Sequence, residues 1–155
     1  MFKILFIFLA FFVTIYAKEV QFQETRYIHL ANTTILKNGI IHINQDNSTL
    51  KYRDSNTKYF YTQDYVKIDE NQFKHDEQME LSLFFMVMEA IYKNNTHPLK
   101  KDFSITQNDV TTLLPSGYLS YAINKIIYKV KNDKLEYLTI YFKNSDSITI
   151  EEKVR

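Results

Sequence analysis

One long segment of the chain, Asp76–Tyr92, contains no Gly, Pro or Asn, and its hydrophobic period differs from that of the sequence on either side. When the segment is projected at about 100° per residue, its few polar residues fall on one narrow stripe. The pattern predicts a helix that is capped by Asp76, carries acids in its first turn and ends at Asn94-Asn95.

This predicted helix is apolar on nearly all sides, so it must either be buried or cover an apolar ligand. It contains three of the four methionines of the chain, and methionine is a flexible side chain that adapts to varied apolar partners. An ordinary core helix and a helix whose surface adapts to varied apolar partners both fit the pattern.

Most of the remaining chain alternates between apolar and polar residues in short runs, which Asn, Asp and Ser turns separate. The first run places Val20, Phe22, Ile28 and Leu30 on one parity, which is typical of a half-buried strand. Short strands at regular spacing favour an antiparallel meander. Further strands are predicted at residues 36–43, 49–53, 58–62, 65–70, 103–106, 110–114, 123–130, 135–143 and 148–153, with a loop from Pro98 and a helical turn at residues 118–122.

Two features interrupt this alternation. Glu24 and Arg26 fall on the apolar parity of the first strand, two residues apart and of opposite sign. They are expected either to pair or to mark the point at which the strand emerges into solvent. Gly39 lies inside the second predicted strand, which indicates a β-bulge or the close approach of another group.

Composition restricts the class of ligand. The chain has 19 Lys and Arg against 18 Asp and Glu, and without Lys3 of the predicted leader 18 bases balance 18 acids. A neutral body in which arginine is scarce argues against nucleic-acid binding, which requires excess positive charge and forked phosphate contacts. The two glycines occur in no phosphate-binding loop motif.

Residues 1–17 are typical of a secretory signal peptide: Lys3 precedes an apolar run from Ile4 to Tyr16, and Ala17 is the small residue before the cleavage point. The run is shorter than the roughly 20 residues that a membrane-spanning helix needs. An uncleaved anchor or a buried first helix is the alternative. We therefore expect a periplasmic protein, cleaved after Ala17, whose residues 18–155 form one domain; without Cys it can carry neither a disulfide nor a lipid anchor.

The residues carry no specific enzymatic signal. The histidines His29, His42, His75 and His97 have no metal-binding spacing, no serine lies in a nucleophile-elbow motif, and there is no Cys nucleophile. We therefore expect no metal, no cofactor and no catalysis. Because carboxylates are abundant, a hydrolase that uses a carboxylate pair stays an alternative.

Several short motifs occur in a recognisable order. They are FQETRY at residues 22–27, ILKNGII at 35–41, LKY at 50–52, QDYV at 63–66, LLP at 113–115 and three closing strands over residues 123–153. Together they resemble the periplasmic LolA-like carriers of outer-membrane lipoproteins, which have an F-x-Q-x-R-type first strand, a second strand with a Gly-led apolar motif, an aromatic where Tyr52 stands and an L-x-P turn. The similarity spans nearly the whole predicted mature chain.

The resemblance implies an α+β fold, in which an apolar helix covers a mainly antiparallel, strongly curved sheet that forms an incomplete β-barrel. It implies a non-enzymatic chaperone that shields acyl chains of lipoproteins or related lipids for transport toward the outer membrane. The implied partners are an acylated lipoprotein or other lipidic cargo, an inner-membrane exporter and an outer-membrane acceptor, and we expect a monomer. The candidates for lining the implied lipid-binding cavity are Leu83, Phe84, Met86, Val87 and Met88 from the predicted helix. The candidates from the sheet are Ile41, Ile43, Tyr52, Tyr61, Leu138, Ile140 and Phe142.

Three departures from the family pattern leave the cargo and the handover mechanism open. Only residues 18–21 separate the predicted cleavage site from Phe22, where the family usually has an amphipathic helix. Gln45-Asp46 replaces the Arg-Pro that contains the family's lid-holding arginine, and Ser145-Asp146-Ser147 replaces an Asp-Gly-Asp turn. Two other functions stay open as well. The chain is alternatively a periplasmic module that docks a partner protein, or a hydrolase of lipid or glycan.

Overall fold

The computed structural model describes residues 16–154, which contain an 11-stranded antiparallel sheet and one α-helix. The helix α1 spans Met79–Tyr92, and two 3-10 helices span His97–Lys101 and Gly117–Tyr121. The strands are β1 (Ala17–Ile28), β2 (Thr33–Asn44), β3 (Ser48–Tyr52), β4 (Lys58–Tyr61), β5 (Val66–Ile68), β6 (Asn71–Phe73), β7 (Phe103–Gln107), β8 (Thr111–Pro115), β9 (Ile123–Lys131), β10 (Lys134–Phe142) and β11 (Ser147–Glu152).

The sheet consists of two meanders that are joined through the first and last strands. The strand order is β6-β5-β4-β3-β2-β1-β11-β10-β9-β8-β7, and every neighbouring pair is antiparallel. In sequence, α1 lies between the two meanders. The sheet is curved and does not close, since β6 and β7 form its edges within the described residues. The prediction of a curved antiparallel sheet with one helix is therefore confirmed.

One face of the sheet carries the apolar core. Val20 on β1 pairs with Ile41 on β2, and on the other side of β1 the register places Ile150 of β11 opposite Leu138 of β10. All four side chains are at most 1% exposed. Because successive strand residues point to opposite faces, this register presents a continuous apolar surface to α1.

The helix α1 lies across that apolar face. Phe85, Val87 and Met88 are fully buried in the same cluster as the inward side chains of the sheet. Full burial of one such side chain stabilises the folded state by about 1.5–3 kcal/mol. The helix is thus apolar around most of its circumference because it packs on several sides.

Two predicted details are wrong. The helix begins at Met79 and its N-cap is Gln78, because residues 75–78 form a turn in which the His75 ring contacts Ser82 and the Gln63 carbonyl. Asp76 is therefore not the cap. Leu30 lies in the β1–β2 turn and is 97% exposed, so the alternation of β1 ends before it.

Two further differences concern the middle of the chain. The strand predicted at residues 65–70 ends at Ile68, because Asp69 adopts a positive φ of 54° and turns the chain into β6, which was not expected. Pro98 opens no irregular loop but lies in the first turn of a 3-10 helix, where its missing N–H costs nothing.

The predicted signal peptide lies outside the described residues, apart from Tyr16 and Ala17. Ala17 begins β1 opposite Asn44, and the Tyr16 hydroxyl donates a hydrogen bond to the carbonyl of Tyr92 at the end of α1. Among residues 16–154, α1 and the 3-10 helices are too short or too polar to cross a bilayer.

Gly39 is required by a close approach and not by a bulge. Its strand pairs regularly with β1, and Phe22 lies directly opposite. A Cβ atom at Gly39 would lie 2.5 Å from Cζ of the Phe22 ring, well inside van der Waals contact. The absence of a side chain at this position lets the Phe22 ring approach the Gly39 backbone closely.

We expect Gly39→Ala to lower the free energy of unfolding by about 1–3 kcal/mol, because the added methyl overpacks against Phe22. Urea denaturation of Gly39→Ala, of Phe22→Leu and of the double variant measures the energetic coupling between residues 22 and 39. In the Phe22→Leu background, the same substitution should cost less than 0.5 kcal/mol, which is typical of an unstrained site. Equal costs in both backgrounds would show that the ring is not the cause.

Candidate functional site

Two clefts flank α1. The larger, which we call the main cleft, has a volume of about 940 Å³. It lies between α1 and a rim formed by the β2–β3 and β4–β5 turns and the two 3-10 helices. The apolar side chains that line it are Met79, Leu83, Met86 and Ala90 from α1, Tyr61 from β4, and Pro98, Tyr118 and Leu119 from the rim.

The polar stripe of α1 also faces the main cleft. Glu89 accepts a hydrogen bond of 2.5 Å from the buried Ser48 hydroxyl and lies 3.3 Å from Lys93 Nζ. Lys93 donates to the carbonyl of Gln45 at 3.1 Å. A polar recess of about 400 Å³ adjoins the main cleft here and shares these groups. The α1 side of the main cleft therefore carries both apolar and polar side chains, and the polar recess opens beside its Glu89 and Lys93.

Tyr61 links the main cleft to the core. Its ring stacks on Phe85 at a centroid distance of 5.2 Å and an interplanar angle of 17°. Burial, together with the nearby negative charge of Glu89, raises the pKa of Tyr61 to about 12. The hydroxyl therefore stays protonated at neutral pH.

The smaller cleft, which we call the β1 cleft, has a volume of about 400 Å³ and lies on the opposite flank of α1. Its apolar lining comes from the helix, from β5 and from the last two strands. Its polar lining comes from β1 to β4 and from the start of α1. The principal lining residues are Ile68, Leu81, Phe84, Ile140 and Ile148, with Glu24, Arg26, Lys37, Tyr52, Tyr59 and Glu80.

Glu24 is the buried charge of the β1 cleft. It is only 3% exposed, and the Tyr52 hydroxyl donates a hydrogen bond to its Oε2 atom. Arg26 Nε lies 3.5 Å from Glu24 Oε1, and Arg26 Nη2 bonds Oε1 of Glu80 on α1. Arg26 therefore joins the first strand to the first turn of the helix.

The electrostatics of this cluster follow from burial and charge. Burial raises the pKa of Tyr52 far above its ordinary value, and the negative charge of Glu24 raises it further. Burial alone would lower the pKa of Arg26, but the hydrogen bond to Glu80 and the charges of Glu80 and Glu24 outweigh burial and raise it. At neutral pH the cluster therefore contains a neutral tyrosine and a charged guanidinium.

The structure divides the predicted cavity residues among three places. Tyr61, Leu83 and Met86 line the main cleft. Tyr52, Phe84 and Ile140 line the β1 cleft, where they lie with the predicted polar pair Glu24 and Arg26. The other six belong to the packed core or lie against it and line neither cleft: Ile41, Ile43, Val87, Met88, Leu138 and Phe142.

Several residues of the clefts were not expected from the sequence. Met79 and Ala90 lie on the same side of α1 as Met86, so helical spacing alone could have found them. Tyr118 and Leu119 reach the main cleft from a 3-10 helix, and Lys37 reaches the β1 cleft from a neighbouring strand. No local pattern indicates these last three.

In comparisons with known proteins, no protein-family model and no curated protein matches the chain significantly. In the part of the chain from residue 16 to residue 154, no three side chains among His, Asp and Glu are grouped so that they could hold a metal ion. The main cleft and the β1 cleft are therefore the candidate functional sites of the described residues.

We expect Arg26→Met to lower the free energy of unfolding by about 2–3 kcal/mol, because it leaves the buried Glu24 carboxylate without its positive partner. The matched control is Arg53→Met, since Arg53 makes one exposed hydrogen bond of 3.4 Å to Gln21. The control should cost less than about 0.5 kcal/mol. Urea denaturation at neutral pH measures both, and equal losses would contradict the structural role of Arg26.

The raised pKa of Tyr61 predicts a loss of stability at alkaline pH. The unfolded chain releases this proton near pH 10, whereas the folded state retains it to about pH 12. The contribution of Tyr61 to the free energy of unfolding is complete below pH 10. Between pH 10 and 12, deprotonation of this group should lower the free energy of unfolding by up to about 1.4 kcal/mol per pH unit. Urea denaturation across this range should show a shallower decline for Tyr61→Phe, whereas parallel declines would exclude the burial of the hydroxyl.

Proposed function

We propose that the protein is a LolA-like periplasmic carrier, which shields an acyl chain of a lipoprotein or a related lipid during transport toward the outer membrane. The observation that carries the proposal is the main cleft, with its wall of Met79, Leu83, Met86 and Ala90. At about 940 Å³ it lies at the upper end of the volumes of small-molecule sites. A space of this size beside a methionine-containing wall suits a long, flexible apolar ligand.

The chemistry of the lining supports an acyl chain. Each methylene group that enters an apolar site contributes about 0.8 kcal/mol, so a chain of a dozen carbons has ample driving force even after its conformational freedom is lost. The thioether side chains of Met79 and Met86 can adjust to chains of different length. Binding would need no specific hydrogen bond to the chain itself.

The polar recess that adjoins the main cleft suits the polar head of an amphiphile. The acyl chain would lie along the apolar side of α1, between Leu83 and the rim residue Leu119. Its polar head would lie toward the recess at Gln45, Glu89 and Lys93, where hydrogen-bonding groups and solvent are present. The same polarity would orient the cargo in one direction.

The fold and the expected export of the chain support the same proposal. An unclosed, curved antiparallel sheet with one apolar helix is the coarse architecture that the family resemblance implies. In this proposal the protein acts as a monomer without a cofactor. It receives cargo from an inner-membrane exporter and delivers it to an outer-membrane acceptor.

A docking module for a partner protein is the second candidate function. It is favoured by three apolar or aromatic side chains near the second 3-10 helix, since Leu114, Tyr118 and Tyr121 are 49%, 57% and 86% exposed. Clusters of exposed aromatic residues mark interaction surfaces more often than single ones do. The two candidates differ in whether a small apolar ligand enters the main cleft.

The test is a titration with the neutral dye N-phenyl-1-naphthylamine, whose fluorescence rises in apolar surroundings. We expect saturable binding that monolauroylglycerol displaces. Met86→Asp should weaken binding at least tenfold, because it places a charge against the ligand. Met86→Trp, which fills the cleft without adding charge, should weaken it as well.

The control variant is Val130→Asp, since Val130 is 44% exposed on β9 and lines neither cleft. It should bind the dye as the unaltered protein does, and circular dichroism verifies the fold of each variant. No binding by the folded protein would exclude the carrier and leave the docking module. Undiminished binding by both Met86 variants would place the ligand elsewhere.

A further inference from the structure

The β1 cleft contains a row of five polar side chains that lies apart from the main cleft. Lys37 Nζ lies 5.2 Å from the centroid of the Tyr52 ring, and the Tyr52 hydroxyl donates to Glu24. Glu24 contacts Arg26, and Arg26 bonds Glu80 on α1. None of the five lines the main cleft. The row therefore runs from a lysine on β2 to a carboxylate on the helix.

The carboxylate in the middle of the row, Glu24, has hydrogen-bond partners on both of its oxygens. Both carboxylate oxygens of the buried Glu24 are engaged, one by Tyr52 and the other by Arg26. A buried carboxylate that is fully hydrogen-bonded holds its partners in fixed positions. Glu24 thus positions the Arg26 side chain and, through it, Glu80.

The two ends of the row are open. Lys37 is exposed, and among the described residues its ammonium group contacts an aromatic ring but no carboxylate. At the other end, the Glu80 side chain is 44% exposed and uses Oε1 for Arg26, while its Oε2 atom accepts no hydrogen bond from residues 16–154. A ligand can therefore meet a cation at one end and a carboxylate oxygen at the other.

The charge balance of the row decides between classes of ligand. Lys37 and Arg26 contribute two positive charges and Glu24 and Glu80 two negative ones, so the net charge is zero. A neutral row offers no general attraction to an anion or a cation. It does complement a ligand that carries both charges, because complementary fixed charges select for the matching arrangement.

The floor of the β1 cleft is apolar. Leu81 and Phe84 come from α1, and Ile140 and Ile148 from the paired strands β10 and β11. The volume of about 400 Å³ leaves room for a headgroup and the first part of one acyl chain. A polar row above an apolar floor is the arrangement that an amphiphile requires.

We propose that the β1 cleft is a second binding site, which takes a zwitterionic lipid headgroup carrying a phosphate and an ammonium group. The phosphate contacts Lys37 and the ammonium contacts Glu80, while the adjoining acyl chain lies on Phe84 and Ile140. This site goes beyond the proposed carrier function, because it uses other residues and recognises the headgroup instead of the chain alone. It would let the protein recognise the surface of a zwitterionic membrane or a lipid taken from it.

The test compares ligands that share one lauroyl chain, by isothermal titration calorimetry and by ¹⁵N NMR shifts of β1 and β2 amides, in the Met86→Trp variant whose main cleft is filled. We expect the zwitterionic lauroyl-lysophosphatidylethanolamine to bind about tenfold more tightly than neutral monolauroylglycerol, and to shift those amides. The anionic lauroyl-lysophosphatidylglycerol should bind less tightly than the zwitterion. Glycerophosphoethanolamine, which lacks the chain, should bind at least 100-fold more weakly, which distinguishes a lipid from a free headgroup.

Two variants assign the contacts. Lys37→Met should reduce the advantage of the zwitterion over monolauroylglycerol to less than twofold, and Glu80→Gln should reduce it as well. The matched control is Lys51→Met on the neighbouring strand β3, since Lys51 is exposed and does not line the β1 cleft. It should leave the advantage unchanged.

Three results would overturn the proposal: equal affinities for the zwitterionic and neutral ligands, the same loss in Lys51→Met as in Lys37→Met, or tighter binding of the anionic ligand. The last result would identify a site for anions alone. Binding of N-phenyl-1-naphthylamine in the main cleft is measured separately, so failure of the headgroup site and failure of the carrier proposal are distinguishable.

Discussion

The packing of α1 against one face of an unclosed sheet is the interaction on which the remaining structure depends. The inward side chains of the 11 strands form a broad apolar surface, and a single helix of 14 residues covers it. Phe85, Val87 and Met88 are fully buried at the centre of this contact. Because the helix occupies the middle of the apolar face, the two clefts described here lie on its flanks. Both candidate sites are thus defined by where the helix lies as much as by the sheet.

Apolar packing is non-directional, so it does not by itself determine how the helix is rotated about its axis. Polar contacts at both ends of α1 determine this rotation. Glu80 in the first turn bonds Arg26 of β1, and the Tyr92 hydroxyl in the last turn donates to Glu152 of β11 at 2.6 Å. With the rotation determined, Met86 and the residues beside it face the main cleft. The polar contacts thereby select which apolar side chains are left for a ligand.

Much of the fold was predictable from local patterns, whereas the sites were only partly so. Alternation predicted the burial of Val20 and Phe22 on β1, and the change of period predicted α1. Gly39 indicated either a bulge or a close approach, and the Phe22 ring makes the close approach. The division of the predicted cavity residues between clefts and core depends on how α1 packs on the sheet. That packing is determined by contacts between strands that are distant in sequence. The N-terminal turn of α1 was missed for the same reason, since His75 is held by the carbonyl of Gln63 from another loop. Alternation placed Glu24 on the apolar parity of β1, but its hydrogen-bond partner Tyr52 comes from β3, which no pattern within β1 indicates.

Native mass spectrometry of the protein purified from the envelope of its own source tests the carrier function most directly, because it requires no assumption about the ligand. If the clefts beside α1 hold lipid, the spectrum should contain a species heavier than the chain by one acyl-bearing molecule. This species should be depleted in Met86→Trp, which fills the main cleft. A folded protein that is recovered only in its ligand-free form, under conditions that preserve other lipid complexes, would contradict the proposal.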